Sequence, residues 1–205
     1  MGKICTIICG APCGEFPREL AEGFVIAADK GLDYALEAGI SPEIVAGDFD
    51  SAKSAVPSGA EIIKFPPEKD YSDAELAAKI ALERGFDELR LLCALGGRLD
   101  HTIANIQLIY RLKKRGISAE LFGGGERAFI LENETREIPA FSGYMSVFAY
   151  EKSAVISESG VKYPTKEVEF TNDFPLGLSN EITEKTAKIT VHSGAALILL
   201  VESRR

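Results

Sequence analysis

Six short apolar runs in the first 122 residues alternate with helical or glycine-rich segments, and this alternation constrains the fold more than any other feature. The runs are short and rich in aliphatic residues, which is typical of buried strands. They occupy residues 3–10, 24–28, 44–46, 61–65, 89–95 and 119–122. Helical patterns cover residues 16–22, 32–38, 73–84 and 102–115. Strands that alternate with helices predict a parallel α/β sheet with crossover connections.

The pattern changes between residues 132 and 142, and no helical pattern follows. Strand-like runs occupy residues 144–150, 153–157, 167–171, 187–192 and 195–201. Some of them alternate apolar and polar side chains, as strands with one solvated face do. We therefore predict two domains. Residues 1–135 form an α/β domain with a parallel, Rossmann-like three-layer arrangement, and residues 136–205 form a small all-β domain, a sandwich or a barrel-like fold.

Charge and cysteine spacing exclude several classes of function. The net charge of −8 argues against a nucleic-acid surface, since such surfaces neutralise phosphates with Lys and Arg. No apolar run has the length needed to cross a bilayer, and the N-terminus lacks the pattern of a signal peptide, so we expect no membrane association and a cytoplasmic location. Cys5, Cys9, Cys13 and Cys93 do not have the usual zinc spacing and are expected to be buried, reduced thiols.

Acidic residues follow several of the predicted strands. Asp48 and Asp50 come directly after the run 44–46 and are separated by one residue. The full set is Asp29, Asp48, Asp50, Asp70, Asp73 and Asp100. In a parallel sheet these positions share the carboxyl edge, where ligands bind, and carboxylate oxygens suit Mg²⁺. The alternative interpretation is local: Asp50 or Ser51 caps a helix, and Ser72 with Glu75 forms a capping box that places Asp73 in a first helical turn.

A glycine turn, Gly96-Gly97-Arg98, follows the fifth run and precedes a helical pattern. Glycines let the backbone approach a ligand closely, and an arginine fork fits phosphate oxygens. Two other interpretations remain open, namely a simple tight turn and a surface ion pair between Arg98 and Asp100. His101 follows as a candidate base or as a structural residue. The chain has no Walker-type loop, so it is not a P-loop enzyme.

Together these motifs resemble those of the thiamine pyrophosphokinase family. The matching segments are 28–31 (ADKG), 47–51 (GDFDS), 69–73 (KDYSD), 96–101 (GGRLDH) with Asn105, 160–164 (GVKYP) and 177–181 (GLSNE). Their order and spacing agree over nearly the whole chain. The resemblance implies an N-terminal α/β nucleotide-binding domain and a C-terminal β-sandwich. It also implies a homodimer with active sites shared between subunits.

The resemblance further implies a reaction in which ATP and thiamine yield AMP and thiamine diphosphate, with Mg²⁺ as the cofactor. The implied catalytic acids are Asp48, Asp50, Asp73 and Asp100, of which the first three would bind the metal. The implied nucleotide and phosphate contacts are Asp29, Lys30, Ser51, Gly96, Gly97 and Arg98. The implied thiamine contacts are Asp100, Asn105, Ser179 and Asn180.

Two departures from the family pattern and two rival functions accompany this interpretation. Lys30 stands where many members carry a glycine, and no tryptophan is present to stack on thiamine, which leaves Phe174 and Tyr163 as candidates.

One rival function is that of another Mg²⁺-dependent enzyme with an Asp-x-Asp motif, such as a glycosyltransferase or a phosphohydrolase. The other rival is a non-catalytic module that binds a nucleotide or thiamine.

Overall fold

The chain is mixed α/β, with a large sheet and a second, antiparallel sheet. The computed structural model describes residues 2–47, 54–65 and 71–203. It divides into two compact units, Met1–Gly124 and Gly125–Arg205. The predicted domain boundary after residue 135 lies later in the chain than this division. The reason is a strand at Glu126–Glu132 that pairs antiparallel with the C-terminal strand of the second unit.

The first unit contains all six predicted strands. They are β1 (Ile4–Ile8), β2 (Phe24–Ala28), β3 (Ile44–Gly47), β4 (Glu61–Lys64), β5 (Glu88–Leu92) and β6 (Ser118–Gly123). The helices are α1 (Gly31–Glu37), α2 (Asp73–Glu83) and α3 (Leu99–Lys113). The short helix predicted over 16–22 is only a 3₁₀ turn at Arg18–Leu20.

The strands of this unit lie in the order β6-β5-β1-β2-β3-β4, and all neighbours are parallel. From β1 the chain proceeds to β2, β3 and β4 on one side, and then returns to β5 and β6 on the other side. The direction of winding therefore reverses between β1 and β5. In open parallel sheets such a reversal leaves a crevice beyond the carboxyl ends of the two strands.

Helices cover the sheet with small and aliphatic side chains. Val25 packs with Ala35 of α1, and the next inward residue of the same face, Ala27, packs with Leu32. Helix α2 contacts β1, β2, β3 and β5, and it also contacts α3. Its buried stripe is Ala74, Leu76, Ala77, Ala78, Ile80 and Ala81. These small side chains let α2 approach the central strands, which carries its first residues to the carboxyl edge of the sheet.

The start of α2 confirms the predicted capping box. Ser72 is the N-cap with extended backbone, and its hydroxyl oxygen accepts a hydrogen bond of 3.2 Å from the Glu75 amide. Asp73 is the first helical residue, as predicted. A carboxylate in the first turn is favoured by the helix dipole.

The second unit consists of eight strands in two antiparallel groups. They are β7 (Glu126–Glu132), β8 (Thr135–Pro139), β9 (Gly143–Ala149), β10 (Ser153–Ser159), β11 (Thr165–Thr171), β12 (Gly177–Asn180), β13 (Thr186–Ser193) and β14 (Ala195–Glu202). One group runs β12-β9-β14-β7 and the other β11-β10-β13-β8. A single core joins both groups, with Phe129, Val147 and Ile198 from the first and Ile156 and Phe170 from the second. Strands β7, β8 and β12 were absent from the sequence prediction.

No helix in the described part of the chain combines the length and the apolar character that a bilayer crossing requires.

We predict that Gly31→Ala destabilises the first unit through a direct clash. A Cβ atom at Gly31 would lie 1.9 Å from the Ile8 carbonyl oxygen, which belongs to the backbone of a central strand. Overpacking of this kind should lower the free energy of unfolding by about 3 kcal/mol or more, measured by urea denaturation.

Gly14→Ala is the matched control, because Gly14 has φ +66° with open space around its Cα. Its cost should be the conformational one alone, about 1 kcal/mol. Equal losses in the two variants would contradict a steric role for Gly31.

Candidate active site

A cleft of about 450 Å³ opens at the carboxyl edge of the first unit's sheet. It lies where the winding direction reverses, between the ends of β1 and β5. Its walls come from the segments that follow β1, β2 and β5 and from the first turns of α2 and α3. The lining residues are Cys9, Gly10, Ala11, Pro12, Ala28, Asp29, Lys30, Ser72, Asp73, Ala74, Cys93, Gly96, Gly97, Arg98, His101 and Asn105.

Most of the predicted residues of the N-terminal site are brought together in this cleft. Those that line it are Asp29, Lys30, Asp73, Gly96, Gly97, Arg98 and Asn105. Asp100 is not among the lining residues of the described chain. Asp48, Asp50, Ser51 and Asp70 lie outside the described residues. The structure thus gathers residues that are up to 76 positions apart in sequence, from Asp29 to Asn105.

The glycine turn has the backbone conformation that only glycine adopts easily. Gly96 and Gly97 have φ values of 86° and 68°. A Cβ atom at Gly97 would lie 2.8 Å from Cδ of Pro12, so the turn packs closely on the segment after β1. Asn105 of α3 donates a hydrogen bond of 2.8 Å to the Ala94 carbonyl. The buried Asn105 side chain therefore fixes the backbone just before the glycine turn.

Arg98 and Asp100 form the surface ion pair that the sequence left open as an alternative. Arg98 Nε donates to Asp100 Oδ1 at 3.1 Å, and Arg98 Nη2 donates to Oδ2 at 2.6 Å. Both side chains are exposed. The Arg98 hydrogen bond lowers the pKa of Asp100 to about 2, with a further hydrogen bond from the His101 amide. Helix α3 begins at Leu99, three residues earlier than predicted, which places Asp100 and His101 in its first turn.

Asp29, the acidic residue after β2, has an unusual backbone conformation and lies close to the end of β3. Asp29 follows β2 with φ 47°, a conformation that non-glycine residues adopt rarely. A Cβ atom at Gly47, the last residue of β3, would lie only 3.2 Å from the Asp29 Cα. The end of β3 therefore lies directly beside Asp29. Within residues 2–47, 54–65 and 71–203, no group of three or more His, Cys, Asp or Glu side chains is arranged to hold a metal ion.

Lys30 contributes a cation to the wall of the cleft. It is the N-cap of α1, and its Nζ lies 5.4 Å from the ring centroid of Tyr34. A cation–π contact of this kind restrains the ammonium group without neutralising its charge. Lys30 is thus available to attract an anion to this side of the cleft.

Two thiols, those of Cys9 and Cys93, line the cleft, and Cys13 lies against Cys93. The four cysteines of the chain are free and buried, which confirms the prediction. The Sγ atoms of Cys13 and Cys93 are 2.6 Å apart. Burial raises the pKa of Cys9 to about 12, with a smaller contribution from the charge of Asp73, and burial also raises the pKa of Cys93. Thiols with such raised pKa values are poor nucleophiles, so they act here as packing groups.

Ser179 and Asn180 lie on β12 of the second unit, and the structure assigns them different environments. Ser179 is exposed, has φ 58°, and its amide donates to Ser146 Oγ at 3.0 Å. Asn180 is buried, and its amide group is occupied by hydrogen bonds to Tyr163, Glu181 and Glu158. Of the two residues, Ser179 is the one that can reach a ligand directly.

Several residues of the site were missed by sequence reasoning. Pro12 and Cys9 follow β1, and Cys93, with φ 52°, directly follows β5. Asp33 of α1 is buried and accepts a hydrogen bond of 2.9 Å from the Ser54 amide, which anchors the chain after the Asp48–Asp50 segment. The available signal was the position of residues 9–13 directly after the first strand, at the edge where parallel sheets bind ligands.

Comparison with known proteins gives a consistent set of relatives. The family model "Thiamin pyrophosphokinase, catalytic domain" matches residues 20–121, and "Thiamin pyrophosphokinase, vitamin B1 binding domain" matches residues 132–197. The thiamine pyrophosphokinase of Bacillus subtilis (strain 168) is 29% identical, with 96% of this chain and 98% of that protein aligned.

Solved structures agree with the sequence comparisons. The crystal structure of thiamine pyrophosphokinase from Bacillus subtilis superimposes with a TM-score of 0.89 at 26% identity, covering 98% of this chain and 100% of that one. The crystal structure of thiamin pyrophosphokinase from Geobacillus thermodenitrificans superimposes with a TM-score of 0.82 at 25% identity, covering 98% of both chains.

We predict that Arg98→Gln raises the pKa of Asp100 from about 2 toward its ordinary value of 3.8, because the largest cause of the shift is removed. The measurement is ¹³C NMR of the aspartate carboxyl groups as pH is lowered from 7. Near pH 4, Asp100 should remain ionised in the parent protein and be substantially protonated in the variant.

The control is Arg111→Gln, which removes a different ion pair of α3, the one between Arg111 and Glu75. This variant should leave the Asp100 titration unchanged. An unaltered titration in Arg98→Gln would show that the ion pair does not persist in solution.

Proposed function

The chain belongs to the thiamin pyrophosphokinase family, and we propose that it transfers the diphosphoryl group of ATP to the hydroxyl group of thiamine, forming thiamine diphosphate and AMP. The observation that carries this proposal is the convergence of Asp29, Asp73 and the Gly96–Arg98 turn on one cleft. Acidic groups suited to a hard cation and a backbone turn suited to phosphate are the two requirements of Mg²⁺-nucleotide chemistry.

The domain architecture follows from the same proposal. Residues 1–135 would serve as the nucleotide-binding, catalytic domain with a Rossmann-like three-layer arrangement, and residues 136–205 as a β-sandwich that binds thiamine. The reversal of winding at β1 and β5 supports the first assignment. The single core shared by two antiparallel groups of strands supports the second.

Mg²⁺ is the cofactor that we propose for this site, and the donor chemistry fits it. Asp48, Asp50 and Asp73 would hold the ion, with Asp73 placed at the cleft by the N-terminus of α2. Bound Mg²⁺ would neutralise phosphate charge and polarise the phosphorus–oxygen bonds. Asp29, Lys30, Ser51, Gly96, Gly97 and Arg98 would contact the nucleotide and its phosphates.

The transfer requires positioning and charge neutralisation more than covalent help. The thiamine hydroxyl oxygen would attack the β-phosphorus of ATP, and the bond between that phosphorus and the oxygen bridging to the α-phosphate would break. AMP leaves with the electron pair of that bond, and the hydroxyl proton passes to a carboxylate. Asp100 is a weak proton acceptor while Arg98 holds its pKa near 2. Phosphate that draws Arg98 away would therefore make Asp100 more basic and leave it free to contact thiamine.

The second unit would supply the thiamine contacts, and we propose a homodimer with active sites shared between subunits. Ser179 follows a segment with three exposed apolar side chains, Phe174, Leu176 and Leu178, and Tyr163 is also exposed. Exposed apolar side chains in such number are typical of surfaces that bind a partner or a ligand. Asn105 and Asn180 would support this thiamine site by holding the backbone around it. A reducing, cytoplasmic location agrees with four free cysteines.

We predict that Asp48→Asn and Asp73→Asn each lower turnover by at least about a hundredfold, since removal of one charged group that stabilises transferring phosphate costs that much. The folded structure should persist in both, because Asn matches Asp closely in size, and in Asp73→Asn the N-cap Ser72 still caps α2. The assay incubates protein, ATP, thiamine and Mg²⁺, and measures AMP and thiamine diphosphate. Glu83→Gln, at the opposite end of α2 from Asp73, is the matched control and should retain full activity.

The same assay separates the rival functions. Phosphate release that does not depend on thiamine would indicate a hydrolase, sugar transfer would indicate a glycosyltransferase, and binding without turnover would indicate a regulatory module. Full activity in both aspartate variants would refute the metal assignment while leaving the reaction itself established.

Subunit mixing tests the shared site. Asp73→Asn and Ser179→Arg should each inactivate the homodimer, the first at the acidic cleft and the second by placing a bulky cation against cationic thiamine. If each site combines two subunits, mixed dimers regain one intact site, so an equimolar mixture should recover about a quarter of the parent activity. No recovery after confirmed subunit exchange would place both residues in the site of a single subunit.

A further inference from the structure

Glu158 interrupts the apolar pattern of β10. Along this strand Ala154, Ile156 and Glu158 alternate with more exposed residues, so all three point toward the core of the second unit. Glu158 is only 2% exposed, whereas its two companions on the same face are apolar. A position of this kind usually holds an aliphatic side chain, because a buried carboxyl group loses its hydration. We therefore expect the Glu158 carboxyl group to have a specific hydrogen-bond partner.

That partner is the side chain of Asn180. Asn180 Nδ2 donates to Glu158 Oε1 at 3.5 Å. On the neighbouring strand β11, the residue paired with Glu158 is the polar Thr165. On the opposite neighbour, β13, the residue paired with Glu158 is the apolar Ile189. The charged groups nearest along these elements, Lys188 on β13 and Lys162 with Glu181 on the adjoining segments, are exposed or half-buried. Burial raises the pKa of Glu158 to about 7, and no charged group contributes to this shift.

Asn180 in turn fixes the segment 160–164. Its Oδ1 accepts hydrogen bonds of 3.0 Å from the amides of Tyr163 and Glu181, and its Nδ2 donates to the Tyr163 carbonyl, also at 3.0 Å. Both backbone groups of Tyr163 are thus held by one side chain. With the bond to Glu158, each hydrogen of the Asn180 amide has an acceptor. Rotation of this amide would break four hydrogen bonds. The bond to Glu158 is the one on the side of the amide that faces the core.

Further contacts tie the same two segments together at the surface. Lys162 donates from its amide to the Glu181 carbonyl at 2.9 Å and from Nζ to the Glu181 carboxylate at 2.6 Å. Next to Asn180, Ser179 holds a left-handed backbone conformation. The exposed ring of Tyr163 and the exposed hydroxyl of Ser179 are therefore presented by one hydrogen-bonded unit. The buried end of that unit is Glu158.

We propose that Glu158 is a positioning residue for thiamine: its carboxyl group orients the Asn180 amide, and this amide holds Tyr163 and Ser179 in the geometry that receives the substrate. The inference rests on the proposed function, because thiamine is taken as the ligand of this surface. Glu158 does not touch thiamine. Its effect should therefore fall on thiamine binding and leave ATP binding unchanged.

The protonation of Glu158 gives the proposal a pH signature. An ionised carboxylate accepts a stronger hydrogen bond from Asn180 than the neutral acid does. As pH rises through about 7, the KM for thiamine should therefore fall. The same ionisation leaves a charge in the core, so this group's contribution to stability declines between its ordinary pKa and its raised one. Affinity for thiamine and thermal stability should thus change in opposite directions over this interval.

The experiment compares Glu158→Leu, which restores the apolar pattern, with Glu158→Gln, which keeps an acceptor but cannot ionise. In the Leu variant the KM for thiamine should rise about tenfold, the loss expected for one hydrogen bond to an ionisable group, while the KM for ATP stays constant. The Gln variant should have, at every pH, a KM for thiamine close to that of the parent with Glu158 protonated, and should therefore lose the pH dependence of that KM near neutrality. Glu169→Leu and Glu169→Gln are matched controls, since Glu169 is exposed on the neighbouring β11.

Hydrogen exchange of the Tyr163 and Glu181 amides provides a readout that needs no substrate. Both amides should exchange faster in Glu158→Leu than in the parent protein or the Glu169 variants. A parent protein that forms no thiamine diphosphate would refute the proposed function, and this exchange measurement would still test the role of Glu158.

Three outcomes would overturn the proposal. One is an unchanged KM for thiamine together with unchanged amide exchange in Glu158→Leu. The second is a parallel loss of thiamine binding, ATP binding and thermal stability, which would mark Glu158 as a general structural residue. The third is a thiamine KM in Glu158→Gln that retains the parent pH dependence, and this measurement decides the matter if the Leu variant fails to fold.

Discussion

The reversal of winding between β1 and β5 is the constraint on which the catalytic unit depends. Because the chain leaves these adjacent strands in opposite directions, no crossover connection fills the space beyond their carboxyl ends. Two glycines then allow the chain segments around the cleft to pack closely. Gly97 lies against Pro12, and Gly31 lets α1 begin against the backbone of Ile8. A larger side chain at Gly97 would clash with Pro12 in the wall of the cleft, and one at Gly31 would clash with the Ile8 carbonyl oxygen.

Electrostatics explains how a chain of net charge −8 can receive a polyanion. The Mg²⁺ ion that we propose would offset part of the acidic charge, and Lys30, Arg98 and the amides of the glycine turn add local positive character. Without phosphate, Arg98 forms an ion pair with Asp100, and because both side chains are exposed, water and salt screen this pair. Exchange of the Asp100 carboxylate for a phosphate is therefore inexpensive, and the same exchange restores basicity to Asp100.

Local patterns determined which parts could be predicted. The six strands of the first unit and the Ser72 capping box follow from short-range apolar and polar spacing, as does the presence of Asp29 and Asp73 in one cleft. The strand order does not, because it depends on pairings between residues such as Cys5 and Leu89 that no local pattern encodes. Strand β12 was missed since it is only four residues long and bulged against β9. Helix α3 begins early although its N-cap, Arg98, makes no side-chain capping hydrogen bond; in its first turn Asp100 Oδ1 accepts a hydrogen bond from the His101 amide.

Glu158 shows why the thiamine side was harder to predict than the phosphate side. The phosphate contacts that we propose use backbone amides and glycines, whose conformational demands are visible in the sequence as Gly96 and Gly97. The second unit instead places the functional geometry on a buried side chain that is 22 positions from Asn180. From the sequence, a single acid on the apolar face of a strand has no evident role. Its role can be inferred only when the structure shows the Asn180 amide as its partner. Since a neutral core residue would be more stable there, the retained carboxyl group is best explained by what it orients.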